Sequence, residues 1–143
     1  MRAQSGVSRT ASVSHNLLTG KHREGRFNAF GFHQRTSTIQ RYAQEIYDRF
    51  DMRGAGIDAT VGDLSGGNMQ KVVVAREFSG DPRLVIANQP TRGIDVGAAE
   101  FVHKKLLELR DKRAAILLIS ADLTEIINLS DSIVVLHDGA VAA

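Results

Sequence analysis

The run Leu64-Ser65-Gly66-Gly67-Asn68-Met69-Gln70-Lys71 carries the residue types in this 143-residue chain that are best placed to do chemistry. Two glycines directly after a serine bare the backbone N–H groups at a helix start, where the helix dipole is positive and no side chain shields an arriving anion. Serine is also a preferred helix N-cap. From Ser-Gly-Gly by itself, an anion site and an ordinary Ser-capped helix with a flexible entry are equally compatible. Other candidates are weaker. Gly54-Ala55-Gly56-Ile57-Asp58-Ala59 imitates a dinucleotide fingerprint, but it follows a helical pattern where the fingerprint needs a strand, so it reads as a loop. His15, His22, His33, His103 and His137 lack the short spacings of metal ligands. They read as surface histidines, and no metal site is expected. No Gly-x-x-x-x-Gly-Lys-[Ser/Thr] run occurs in the chain, and Gly20-Lys21-His22 lacks both the upstream glycine and the hydroxyl residue of one.

The elements that must position these residues follow from apolar periodicity. Ile39, Ala43, Ile46 and Phe50 repeat at helical spacing, with Ser37 and Gln40 in a capping-box pattern. A second helix is expected over Met69 to Phe78 with Ser65 as N-cap. After the break at Gly80-Asp81-Pro82, the unbroken apolar run Leu84 to Ala87 reads as a parallel strand covered on both faces. A helix then follows Asp95, with Val102, Leu106 and Leu109 inward. Ala115 to Ile119 reads as a strand, Asp122 to Leu129 as a short helix and Ile133 to Leu136 as a third strand. Asp138-Gly139 is a strong signal for a tight hairpin. Strand, helix, strand, helix, strand in this order implies an α/β layer with a parallel sheet, preceded by a helical region.

Composition bounds the reading. With 43% hydrophobic and 24% charged residues, the chain has the balance of a globular domain. The absence of cysteine excludes disulfides and thiolate zinc sites and fits a reducing compartment such as the cytoplasm. No apolar run approaches bilayer-spanning length, so the chain is expected not to be embedded in a membrane. The net charge of +2 is uneven: Arg2, Arg9, Lys21, Arg23, Arg26 and Arg35 face the single acid Glu24 in the first 35 residues. Residues 1–20 are read as a basic, Ser-rich, disordered leader.

With these landmarks in order, the chain resembles the ATP-binding-cassette (ABC) ATPases from roughly Asn16 to Ala143. Leu-Ser-Gly-Gly-Asn is similar to that family's signature motif. Leu84 to Ala87 runs into Asn88-Gln89-Pro90-Thr91, where the family's strand ends in Asp-Glu-Pro-Thr, and Arg92-Gly93-Ile94-Asp95 follows. Together with Pro90 to Ala98, the motifs most resemble the second cassette of the fused, two-cassette ATPase subunits of simple-sugar and nucleoside importers. The resemblance implies a partial P-loop NTPase fold, divided into the leader at 1–20, a helical subdomain at 21–80 and an α/β lobe at 81–143.

It also implies a nucleotide sandwich, in which Ser65, Gly66, Gly67 and Asn68 contact the γ-phosphate of ATP held by a partner cassette. That partner holds most of the Mg2+ contacts as well. Asp95 would bond across the seam between cassettes, although capping the next helix is equally compatible with the sequence. The departures fall at catalytic positions. Asn88 stands where the family has an aspartate for the magnesium shell, Gln89 where it has the glutamate that polarises water, and Ala121 where it has the switch histidine. An amide has no useful basicity, so a general base is missing. The cassette's own site is therefore expected to be degenerate and this chain inactive alone.

The implied function is that of an ABC importer ATPase for simple sugars or nucleosides. Implied partners are the first cassette of the same subunit and transmembrane permease subunits, at the cytoplasmic face of the membrane. Rival readings are the head lobe of a chromosome-maintenance or repair ATPase and a non-catalytic interaction module. Lys21-His22-Arg23 beside Phe27, Phe30 and Phe32 has the charge and rings for nucleic acid, but in the family reading it lies in the helical subdomain, and no nucleic-acid partner is expected. The family's phosphate-loop strand lies between the strand ending at Ile119 and the one at Ile133 to Leu136. Without it, those two strands are expected either to pair directly or to drive self-association through exposed edges.

Overall fold

Ser12 opens the first helix of the computed structural model, which describes residues 6–29 and 33–142. Its hydroxyl accepts the His15 N–H and caps α1, Val13–Leu18. Val13, Leu17 and Leu18 are buried. Asn16 is buried beside them and fully used: its Oδ1 accepts the Ser8 N–H at 2.8 Å, and its Nδ2 donates to the Ser8 and Ser12 carbonyls at 3.0 and 2.9 Å. The disordered leader expected at 1–20 is thus corrected for the described residues: Val13–Leu18 is a buried helix, and the segment before it is tied down, with Ser12 bridging Thr60 and the Arg9 carbonyl accepting the Gly62 N–H at 2.8 Å. Residues 1–5 lie outside the described residues.

The helical region closes over α1. Helix α2, Thr36–Arg49, buries Ala43, Ile46 and Tyr47, and α3, Gly66–Phe78, buries Met69, Val72, Val74 and Ala75. The capping box expected at Ser37 is not formed. The N-cap is Arg35, with no side-chain bond, so Ser37 already sits inside the first turn. A two-residue antiparallel pair, β1 at Asn28–Ala29 with β2 at His33–Gln34, precedes α2. Lys21 and Phe27 are packing residues rather than a stacking platform. Phe27 is buried with its ring 4.9 Å from that of Tyr42, and Lys21 Nζ donates to the Tyr42 hydroxyl, the Arg76 carbonyl and Ser79 Oγ. Phe30 and Phe32 lie outside the described residues.

The α/β part has strands β3, Leu84–Asn88, and β4, Ala115–Ile119, joined through α4, Val96–Asp111. They pair in parallel from Leu84↔Ala115 to Asn88↔Ile119. Val85 and Ala87 share one core with Val102, Leu106 and Leu109 of α4 and with α1, α2 and α3. The short helix α5, Leu123–Leu129, follows β4. Next comes a hairpin, β5 at Leu136–His137 and β6 at Ala140–Val141. Asp138 and Gly139 sit at its tip with φ of 48° and 77°, the two positive values that a type I′ turn demands.

Two expectations fail here. Leu84 to Ala87 is not covered on both faces: Leu84 and Ile86 are 61% and 64% exposed, and Leu117 and Ile119 of β4 are 52% and 46% exposed. Ile133 to Val135 belongs to no strand, and among the described residues β4 pairs only with β3, so direct pairing across the gap does not occur. A strand needs a continuous hydrogen-bonded ladder, and the Ala142 N–H, which donates to the Val135 carbonyl at 2.8 Å, extends the following hairpin by one bond without building one along that segment. An open cleft of ≈ 980 Å³ remains, lined by β4, α5 and the chain from Ser130 to Leu136.

Candidate functional site

Ser65 is the N-cap of α3 and stands exposed at its start. Its Oγ accepts two bonds from Asn68, the backbone N–H at 3.3 Å and Nδ2 at 3.1 Å. The Asn68 Oδ1 in turn accepts the Arg53 N–H at 2.9 Å. A side chain at Gly66 would meet nothing within 4 Å, so the helix entry is open there. Gly67 is different. A Cβ there would come within 3.0 Å of Asp95 Oδ2 and 3.3 Å of Ala98 Cβ, so only glycine lets the starts of α3 and α4 approach this closely. Asp95 caps α4, its Oδ1 accepting the Ala98 N–H at 2.9 Å.

Ser65, Gly67, Asn68 and Asp95 therefore share one open pocket of ≈ 320 Å³ with Asp51, Arg53, Lys71 and Phe101. Its two carboxylates are matched by two cations, so the pocket offers a donor-rich helix start in a balanced field. Lys71 Nζ donates to the Asp51 carbonyl and, at 3.2 Å, to the Asp51 carboxylate; it also lies 4.9 Å from the centre of the Phe101 ring. That hydrogen bond and charge, with a further contribution from Arg53, hold the Asp51 carboxyl below its usual range. The Arg53 guanidinium is 3.6 Å from Asp51 and mostly in solvent. Sequence reasoning missed Asp51 and Arg53 and gave Lys71, within the signature run, no role, because the pairing of Lys71 with Asp51 twenty residues away leaves no local pattern.

The other predicted positions gather at the C-terminal ends of the parallel strands, where α/β sheets place ligands. Asn88 is in register with Ile119. Gln89 follows with φ of 51°, its N–H donating to the Ile119 carbonyl at 2.7 Å. Ala121 is exposed just beyond β4. The next turn is held from two sides: buried Gln70 of α3 donates to the Pro90 carbonyl at 2.9 Å, and Thr91 Oγ1 donates to Glu125 Oε1 at 2.8 Å. His103 Nε2 lies 2.8 Å from the same Glu125 oxygen. His103 is therefore a half-buried partner of a buried carboxylate, not the surface histidine expected. Glu125 Oε2 has no hydrogen-bond partner among the described residues. No group of three or more His, Cys, Asp or Glu side chains suited to a cation occurs among them either. With amides at 88 and 89, the strand ends of this chain do not fit Mg2+.

No protein-family model matches the chain. Among curated proteins, it is 41% identical over 140 residues to the nucleoside import ATP-binding protein NupA of Lactococcus lactis, covering 98% of this chain and 28% of that protein. It is 44% identical over 142 residues to the glucose import ATP-binding protein TsgD13 of Haloferax volcanii, covering 98% and 26%. A third relative is the guanosine import ATP-binding protein NupO of Bacillus subtilis, at 39% identity and 99% and 28% coverage. The chain thus spans about a quarter of the length of the curated relatives it matches. Among solved structures, a dimeric ATP-binding cassette in a post-hydrolysis state bound to ADP and Pi superposes with a TM-score of 0.72 at 20% identity, covering 98% of this chain and 58% of that one. A nucleotide-free cassette from an ABC transporter gives 0.71 at 24% identity, covering 99% and 61%.

The fold is that of an ABC cassette, a P-loop NTPase architecture represented here in part. Within that class the chain is similar over nearly its whole length to part of the sugar and nucleoside import ATP-binding proteins. The matches to NupA and TsgD13 run over nearly its whole length, so most of the stretch before Gly20, expected to stand apart, is shared sequence.

Proposed function

We propose that this chain is the signature-bearing part of the second cassette in an importer's two-cassette ATPase subunit, acting in trans on ATP held by the first cassette. The substrate class is a simple sugar or a nucleoside, in keeping with what the relatives' names say they import. The partners are the first cassette and membrane permease subunits, which put the chain at the cytoplasmic face. One observation carries the reading: an exposed Ser65 and the open N-terminus of α3 stand ready for phosphate, while Asn88, Gln89 and Ala121 offer no acid or base at the strand ends. Ser65, Gly66, Gly67 and Asn68 line the trans site and Asp95 borders the seam. The Ser65 hydroxyl and the bared N–H groups stabilise developing phosphoryl charge without supplying a nucleophile. Mg2+ stays with the partner's residues. The division into a helical subdomain up to residue 80 and an α/β lobe from 81 follows the same scheme.

Asymmetry between the two sites is the test. Gln89→Ala is expected to leave the ATPase rate of the assembled cassette pair within about twofold, because an amide at that position performs no proton transfer. A tenfold loss would mean that the site beside β3 takes part in turnover, against the proposal. A substitution series at Ser65 without effect would favour the interaction-module reading.

The uncovered apolar face of β3 and β4 and the cleft beside it make self-association the expected behaviour of the chain by itself. Sedimentation over a range of concentrations is expected to show mass rising above the 15.6 kDa monomer, and Leu117→Lys is expected to reduce it. A single monomeric species at all concentrations would refute this.

A further inference from the structure

We infer that Asn68 is a positioning residue: its amide holds the Ser65 hydroxyl as a proton donor facing out of the α3 N-terminus. The inference rests on the reading above, in which Ser65 meets a phosphoryl group in trans. Geometry fixes which way the amide points. The Arg53 backbone N–H, 2.9 Å from one end, can only donate, so that end is the carbonyl oxygen. The other end is then the NH2 group, and it donates to Ser65 Oγ at 3.1 Å. The same oxygen also accepts the Asn68 backbone N–H, at 3.3 Å.

A serine hydroxyl has two lone pairs and one proton. Both lone pairs of Ser65 are occupied, and among the described residues no acceptor takes its proton. Ser65 is exposed on the open pocket, so the proton is offered to whatever acceptor arrives. Phosphoryl oxygens are acceptors, and a donor set in advance serves them better than a hydroxyl that must reorient. Each end of the Asn68 side chain is held by one bond within the chain, which fixes the amide in the orientation that keeps its NH2 group on Ser65. The bond to Arg53 also fixes the turn that carries its exposed guanidinium to the same rim.

A double-mutant cycle on the assembled cassette pair separates positioning from contact. Ser65→Ala is expected to lose roughly 10- to 100-fold in ATPase rate, the scale of a hydrogen bond to a charged group. With Ser65 present, Asn68→Ala is expected to lose roughly 3- to 10-fold, and in the Ser65→Ala background less than about twofold. Asn68→Asp keeps an acceptor for the Arg53 N–H, and so keeps the turn, but sets a second acceptor against Ser65 that captures its proton. Its activity is expected to fall to that of Ser65→Ala. Equal losses for Asn68→Ala with and without Ser65, or wild-type activity in Asn68→Asp, overturn the positioning role and leave the trans reading standing. No loss in Ser65→Ala overturns both.

Discussion

Replacing Ser65 by arginine is expected to abolish ATP turnover by the assembled cassette pair, with a loss of at least about 100-fold, the scale of removing a preorganised donor to developing charge. Two effects combine. The hydroxyl proposed to face the phosphate disappears, and a side chain too large for the entry fills the open space above Gly66. Charge alone would not spoil the site, since arginine attracts phosphate. The loss must therefore come from geometry, and Ser65→Lys is expected to behave alike. Steady-state hydrolysis is the measurement, with circular dichroism to show that α3 still forms. A Ser65→Arg variant that folds and retains more than a tenth of the rate would place the phosphate elsewhere.

Leu17→Ala carries the largest expected effect on stability. The Leu17 side chain is fully buried, at 0% exposure, in the cluster shared by α1, α2, α3 and β3. Emptying such a site costs about 2–5 kcal/mol, a large part of the roughly 5–15 kcal/mol that holds a typical domain folded. Chemical denaturation is expected to show a midpoint shifted to that extent. Were residues 13–18 a leader, the variant would unfold like the wild type. The neighbouring Asn16, whose polar atoms bond back to the Ser8 and Ser12 backbone, is expected to be equally intolerant of leucine.

What the sequence made legible was local. Ser65 read as an N-cap and is one, and Asp95, for which capping was one of two compatible roles, caps α4, because a cap depends on residues three positions apart. The β3 and β4 runs and the Asp138-Gly139 turn were equally plain, since strand patterning and hairpin chemistry are written in neighbouring residues. Apart from the unformed capping box at Ser37, the failures depend on distant partners. An apolar run looks the same whether one face of its sheet is covered or two, so the exposure of Ile86 and Leu117 could not be foreseen. The short segment Val13–Leu18, within a Ser-rich stretch, looks disordered until α2 and α3 pack upon it. His103 looks like a surface group until the fold brings Glu125, twenty-two residues on, against it. At the candidate site, the serine, the glycines and Asn68 could be named in advance. The bond from Arg53 that orients the Asn68 amide could not.

The central claim is that this chain completes a partner's ATP site and has none of its own. Its most direct test is ATP binding and hydrolysis measured for the chain alone, and again after mixing with the complementary phosphate-loop part of the cassette and the first cassette. The account predicts no binding and no turnover alone, with activity appearing only on mixing and disappearing again with Ser65→Arg. Binding and hydrolysis of ATP by the chain alone would contradict it.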